Sequence, residues 1–302
     1  MSSPPSAGPP SSPRSGTPPV IGKVAVVGCG TMGSGIVQLA AQHGVEVVGI
    51  ETSADGAARA DERIRAGIRA TEARGKLDAA QAAAAASSFR ISTDLDEVAD
   101  AGLVVEAVFE DVELKKDVLG RIDALAGPQT VIASNTSTIP LVILAAATQR
   151  PSQVVGLHFF NPVPAMRLVE VIKTPITEQG PLDAVTALVS GWGKSPVVVN
   201  DVPGFVGNLL IVPYLLDAIR ALERGVADLE SIDSVITLGF NHKMGPFRLS
   251  DLIGLDIVHD MAARMYDEYQ DPRYWPPVLL KQYVRLGWLG RKTGRGFYRY
   301  DD

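Results

Sequence analysis

The segment that most limits the fold is Lys23-Val-Ala-Val-Val-Gly28-Cys-Gly30-Thr-Met-Gly33. Its β-branched run reads as a buried strand, its glycines as a tight turn, and the stripe Ile36, Val37, Leu39, Ala40 and Ala41 as one face of a helix. His43-Gly44 ends that helix, and Val45-Glu-Val-Val-Gly-Ile-Glu51 supplies a second strand. The helical crossover is long enough to set the two strands parallel. Glycines at Gly28, Gly30 and Gly33 let backbone approach a pyrophosphate at the helix N-terminus, where free N–H groups and the helix dipole favour anions. Glu51 ends the second strand, where a carboxylate accepts hydrogen bonds from ribose hydroxyls and repels a 2′-phosphate. With no arginine directly after Glu51, the expected cofactor is NAD, held by Gly28, Gly30, Thr31, Met32, Gly33 and Glu51.

Residues 54–86 are rich in Ala, Arg and Glu and exceed a single crossover helix, which predicts a protruding helical hairpin. Phe89–Ser92, Leu103–Val108 and Thr130–Ser134 read as strands, and Asp94–Ala99 and Val112–Leu125 as helical stretches. Gln153–Phe160 and Met166–Thr174 flank Asn161-Pro-Val-Pro164, too short for a parallel crossover, so they should pair antiparallel. Ser195–Val199 is the last strand. Beyond Asp201 the pattern is helical, starting with an apolar Phe205–Glu223 that Pro213 should kink. The expected architecture is a Rossmann-type α/β domain over residues 20–200, mostly parallel with antiparallel final strands, followed by an all-α domain over 201–302. Residues 1–19, almost entirely Ser, Pro and Gly, read as a disordered tail, and Met244 and Trp288 as core.

Composition excludes several classes. A net charge of -6 leaves no footprint for nucleic acid or an anionic membrane surface, so the partner should be a small molecule. Cys29 is the only cysteine and forms no internal disulfide, which favours the cytoplasm. No apolar run reaches the roughly 18 residues of a membrane span, and no metal-ligand set is assigned.

His158 and Glu170 are equidistant from Pro164, so a symmetric ladder would set them opposite each other. Opposed residues bring their Cβ atoms to about 5 Å, within reach of an imidazole–carboxylate hydrogen bond. Such a pair suits removal of a hydroxyl proton as hydride leaves carbon, the histidine acting as base and the carboxylate fixing its tautomer. A satisfied structural histidine fits the spacing equally well.

Gly28-Cys-Gly-Thr-Met-Gly33, Ser134-Asn-Thr-Ser137, His158-Phe-Phe-Asn-Pro-Val-Pro164, Leu168-Val-Glu-Val171 and Gly204-Phe-Val-Gly-Asn208 resemble the L-3-hydroxyacyl-CoA dehydrogenases. Met244-Gly-Pro-Phe247 and Gly290-Arg-Lys-Thr-Gly-Arg-Gly-Phe-Tyr298 extend the resemblance into the family's helical domain. The resemblance implies His158 as general base or acid, Glu170 as its partner, and Ser137 and Asn208 as hydrogen-bond donors to the substrate oxygens. It also implies Glu110, Lys115 and Asn135 at the NAD site, a short-chain acyl-CoA substrate such as 3-hydroxybutyryl-CoA, and a homodimer formed through the second domain. Read alone, Ser137 and Asn208 are equally helix caps, and Glu110 with Lys115 a solvated pair.

Two departures stand out: Glu51 where the family commonly has Asp, and Leu209 where it usually has Arg, which removes a bidentate contact. Arg59, Arg63, Arg65, Arg69, Arg74 and Lys76 are candidates for the phosphates of coenzyme A, or are the mixed-charge face of a solvated helix. A carrier-protein thioester, a sugar acid, and a non-catalytic protein keeping the fold are the alternatives.

Overall fold

A computed structural model describes residues 21–300 of the chain, so the expected tail at 1–19 lies outside the described residues. The first half alternates strand and helix: β1 (Lys23–Val27), α1 (Thr31–Gln42), β2 (Glu46–Ile50), α2 (Ala54–Ala73), α3 (Ala79–Ser87), β3 (Phe89–Ser92), β4 (Leu103–Glu106), α4 (Val112–Leu125), β5 (Val131–Ser134), α5 (Leu141–Ala145), β6 (Val154–Phe159), β7 (Leu168–Lys173), α6 (Gln179–Gly191) and β8 (Ser195–Asn200). These strands form one eight-stranded sheet in the order β3-β2-β1-β4-β5-β6-β7-β8. β1 to β6 run parallel, while β7 pairs antiparallel with β6 and β8 pairs parallel with β7. Strand order reverses between β1 and β4, opening a crevice at the carboxyl ends where α/β proteins bind ligands.

Apolar side chains cover both sheet faces, as a buried parallel sheet requires. One core joins Val24 and Val26 to Ile36 and Leu39 of α1, Ile64 and Ile68 of α2, and Leu182 and Val185 of α6. The other joins Ala25, Val104 and Ile132 to Leu119 and Ile122 of α4 and Leu144 of α5. The α2–α3 hairpin, expected to protrude, packs on α1 through Ala60, Ile64, Ile68, Ala82 and Ala85, because these small and branched residues make a continuous apolar stripe. The stretch expected as helix at 94–99 is one 3-10 turn, Leu95–Val98, begun by Asp94 accepting from Asp96 N–H. It is too short to repeat the α-helical bond.

The remaining residues form a third core. Its helices are α7 (Gly207–Glu223), α8 (Leu229–Ser234), α9 (Pro246–Ile253), α10 (Leu255–Tyr269) and α11 (Val278–Arg285). α7 starts two residues later than expected, since Phe205 takes φ 51°, outside helical geometry. Pro213 lies inside α7 without ending it. Met244 and Trp288 are only partly buried, not core as expected; Trp288 packs on the Tyr283 ring at 5.1 Å and under the Arg295 guanidinium at 3.4 Å.

Two buried carboxylates fasten the C-terminal segment. Asp251 accepts from Phe297 N–H, Tyr298 N–H and the Tyr300 hydroxyl, and Asp233 from Phe247 N–H, Arg248 N–H and the Tyr298 hydroxyl. Gly290 and Gly296 leave no room for a Cβ, which would lie 2.3 Å from the Asp251 carbonyl oxygen and 2.0 Å from its Oδ1. The glycine-rich end is thus a latch around Asp251. Asp251→Ala should strand these donors in an apolar setting and lower unfolding stability by about 2–4 kcal/mol. Urea unfolding of the two proteins, followed by tryptophan fluorescence, reads the difference; matching midpoints would refute the latch.

Candidate active site

At the end of β1, Gly28 takes φ 89°, and a Cβ there would lie 2.9 Å from the Ala107 carbonyl oxygen. Gly33 admits none either, because a Cβ would sit 1.9 Å from the Gly28 carbonyl oxygen. A Cβ on Gly30 would meet nothing within 4 Å, so this position faces open space. α1 begins here without a side-chain cap or an acidic residue in its first turn, and its first helical bond is Ser34 N–H to Gly30. The N–H groups of Thr31, Met32 and Gly33 precede that bond and carry the positive end of the helix dipole. An uncapped cradle of this kind fits a diphosphate. Glu51, expected to meet ribose, also holds the loop: its Oε1 accepts from Cys29 N–H at 2.8 Å.

The carboxyl ends of β4 and β5 carry a buried polar network. Glu106 and Lys115 are 0% and 1% exposed and pair at 2.7 Å. Glu106 also accepts from Val108 N–H and the Ser134 hydroxyl, and Lys115 also pairs with Glu110 at 3.3 Å. These bonds offset the desolvation cost of two buried charges. Glu110 Oε1 in turn accepts from Thr136 Oγ1 at 2.8 Å, Ser137 N–H at 2.8 Å and Thr138 N–H at 3.0 Å. Burial alone would raise the Glu110 pKa, but the Lys115 charge and these donors outweigh it and hold the carboxyl below its ordinary range. Glu110 and Lys115 are therefore no solvated pair: they form the 136–138 turn that presents Ser137. Asn135 Oδ1 accepts from Phe159 N–H at 3.1 Å, tying the ends of β5 and β6.

The β6–β7 ladder sets His158 directly opposite Glu170, with the symmetry about Pro164 that the spacing predicts. Nδ1 of His158 lies 2.7 Å from Glu170 Oε2, and both residues are buried. The other oxygen, Oε1, accepts from Val206 N–H at 3.0 Å and Gly207 N–H at 2.8 Å, where α7 begins. Gly204 at φ 81° and Phe205 at φ 51° turn the chain so that these groups point at Glu170. A Cβ on Gly207 would come within 3.0 Å of the Phe160 ring. The rings of Phe160 and Phe205 lie 4.7 Å and 5.6 Å from the imidazole.

Two further contacts bring α7 and α10 to the sheet. Asn208 Nδ2 donates to the Ser137 carbonyl at 3.2 Å, and Arg264 Nη2 donates to the Glu110 carbonyl at 2.8 Å. Asn208 is the second residue of α7, and no cap is formed by its side chain. His158, Glu170, Ser137 and Asn208 thus converge, while Gly28, Gly30, Thr31, Met32, Gly33 and Glu51 form the neighbouring loop. Sequence reading passed over Glu106 and Arg264. The signal for Glu106 was a charge closing the apolar run Leu103-Val-Val; Arg264 left none. In the basic cluster, Arg65 pairs with Asp61 at 2.7 Å and Arg69 with Glu62 at 2.6 Å, while Arg63 turns toward the glycine loop. No group of residues suited to a metal ion occurs among the described residues.

Residues 23–202 match the family model described as 3-hydroxyacyl-CoA dehydrogenase, NAD binding domain, and residues 204–300 the one described as 3-hydroxyacyl-CoA dehydrogenase, C-terminal domain. A 3-hydroxybutyryl-CoA dehydrogenase of Mycobacterium tuberculosis is 43% identical over 282 residues, covering 93% of this chain and 99% of that one. The human mitochondrial hydroxyacyl-coenzyme A dehydrogenase is 38% identical over 288 residues, covering 93% and 92%. The crystal structure of (S)-3-hydroxybutyryl-CoA dehydrogenase from Ralstonia eutropha superposes with a TM-score of 0.89 at 40% identity, covering 94% and 100%.

Burial raises the Glu170 pKa, but the hydrogen bond from His158 and those from Gly207 and Val206 outweigh it, so the net shift is downward from 4.5. A carboxylate lowered in this way stabilises the fold fully above its unfolded pKa and loses that contribution as pH falls through the lowered value. Glu170→Ala should therefore be less stable than wild type at neutral pH by about 2–4 kcal/mol. The gap should narrow below about pH 4. Unfolding midpoints taken across that range check this, and a gap that persists unchanged into acid would refute it.

Proposed function

This chain belongs to the 3-hydroxyacyl-CoA dehydrogenase family, and from that premise we propose that it interconverts a short-chain L-3-hydroxyacyl-CoA and its 3-ketoacyl-CoA, 3-hydroxybutyryl-CoA and acetoacetyl-CoA being the pair that its relatives' names favour. The observation that carries the reading is the His158–Glu170 pair at 2.7 Å, placed beside Ser137 and Asn208 on a sheet whose glycine loop suits a dinucleotide diphosphate.

With Nδ1 turned to Glu170, the free position of the His158 imidazole is Nε2, which takes the proton of the 3-hydroxyl during oxidation and returns it during reduction. Glu170 fixes the ring and stabilises the imidazolium. Ser137 and Asn208 hydrogen-bond the substrate oxygens near the reacting carbon. When bound, NAD would supply the hydride acceptor for oxidation at C3, and NADH the hydride donor for reduction of the ketone. Gly28, Gly30, Thr31, Met32 and Gly33 hold its diphosphate and Glu51 its ribose; Glu110, Lys115 and Asn135 shape the adjoining wall, Lys115 acting through Glu110. Phe160 and Phe205, packed on the imidazole, limit water around it.

The division near Asp201 puts His158 and Glu170 in the first domain and Asn208 in the second, so the site is complete only where the two meet. A homodimer formed through the helical domain is supported by the exposed Leu210, Leu238 and Phe240. No helix among the described residues is long and apolar enough to cross a membrane. The lone buried cysteine supports a cytoplasmic setting.

Acetoacetyl-CoA should drive NADH oxidation by the wild type, and His158→Ala should lower kcat by roughly 10²–10⁴. Glu170→Gln should lower it less, because the base itself remains. Steady-state NADH absorbance reads all three. Wild-type protein that binds NADH but consumes none with acetoacetyl-CoA would redirect the substrate to a carrier-linked or sugar acid.

A further inference from the structure

Arg63 stands apart from the other basic residues of α2. Its Nη1 donates to the Cys29 carbonyl at 3.1 Å and lies 3.3 Å from Ser34 Oγ, which itself donates to the same carbonyl at 2.7 Å. Cys29 sits between Gly28 and Gly30, and its N–H is taken by Glu51 Oε1 at 2.8 Å. The middle of the glycine loop is therefore gripped at both polar groups, by a carboxylate on one side and a guanidinium on the other. The Cys29 side chain adds no chemistry: burial, with the nearby Glu51 charge, pushes its thiol up to about 12.

Arg63 is exposed, and no carboxylate lies within ion-pair distance of it among the described residues. Its net positive charge consequently stays beside the uncapped start of α1, where the loop's N–H groups also point. A flexible glycine loop loses conformational freedom when it closes on a ligand, and a loop already held loses less.

We propose that Arg63 is a positioning residue for the dinucleotide, fixing the Cys29–Gly30 peptide so that the loop's N–H groups meet the diphosphate and adding a cation beside it. The proposal rests on NAD being the cofactor. It assigns Arg63 to the dinucleotide and not to the phosphates of coenzyme A.

The test compares wild type, Arg63→Met and Arg63→Lys by NADH titration, monitored by fluorescence, and by steady-state kinetics with acetoacetyl-CoA. Arg63→Met should raise both Kd and KM for NADH about tenfold, the worth of one charged hydrogen bond. At saturating NADH its kcat should stay within about twofold, and KM for acetoacetyl-CoA should not move. Arg63→Lys keeps the charge without the fork and should recover part of the affinity. Added salt should weaken NADH binding more steeply in wild type than in Arg63→Met. An unchanged NADH Kd in Arg63→Met would overturn the proposal, as would a rise confined to KM for acetoacetyl-CoA, which would mark Arg63 as a coenzyme A contact. A wild type that fails to bind NADH would overturn the cofactor assignment and the proposal with it.

Discussion

Glu170 divides its carboxylate between two tasks. One oxygen meets Nδ1 of His158, and the other accepts the Val206 and Gly207 N–H groups where α7 starts. A buried carboxylate with both oxygens satisfied is stable, and one with either set of donors removed is costly, so the two contacts depend on each other. The imidazole is oriented by the same group that seats the helical half of the molecule on the sheet. Docking of α7 and orientation of the base thus share one carboxylate.

The polar network at the ends of β4 and β5 works along similar lines. Lys115, buried between Glu106 and Glu110, draws Glu110 into position, and Glu110 gathers the Thr136–Thr138 turn around one oxygen. That turn offers its Ser137 carbonyl to Asn208, while the Glu110 carbonyl receives Arg264. Ser137 is thus placed by a chain of charges running back into the sheet, and by contact with α7. On a rigid scaffold, small displacements of reacting groups carry large costs in rate, which gives such supporting bonds their importance.

Much of this is legible in the sequence. The Lys23–Gly33 segment prescribes strand, turn and helix through local sterics and periodicity alone, and Glu51 follows at the spacing of a parallel unit. The His158–Glu170 opposition followed from the period of a ladder and the shortness of the turn at Pro164. What stayed hidden was pairing across the fold. Apart from the family resemblance, Lys115 read as half of a solvated pair with Glu110 because its partner Glu106 lies on another element, and Arg63 read as one of several cations for coenzyme A or solvent because its acceptor lies in the loop before α1. The core assignments of Met244 and Trp288 failed for a related reason: hydrophobicity gives the tendency to bury, while packing geometry decides how far.

The sequence by itself determined the elements, the parallel sheet with its reversed final strands, the glycine loop and the facing histidine and glutamate, since each depends on interactions between near neighbours or on a period. Only the tertiary structure decided which charges are buried, that Glu170 serves α7 as well as His158, and that Arg63 and Glu51 hold opposite ends of Cys29. Those outcomes depend on distances between residues remote in the chain. They are set when the sheet twists, the helices dock and water leaves, and no local pattern encodes them.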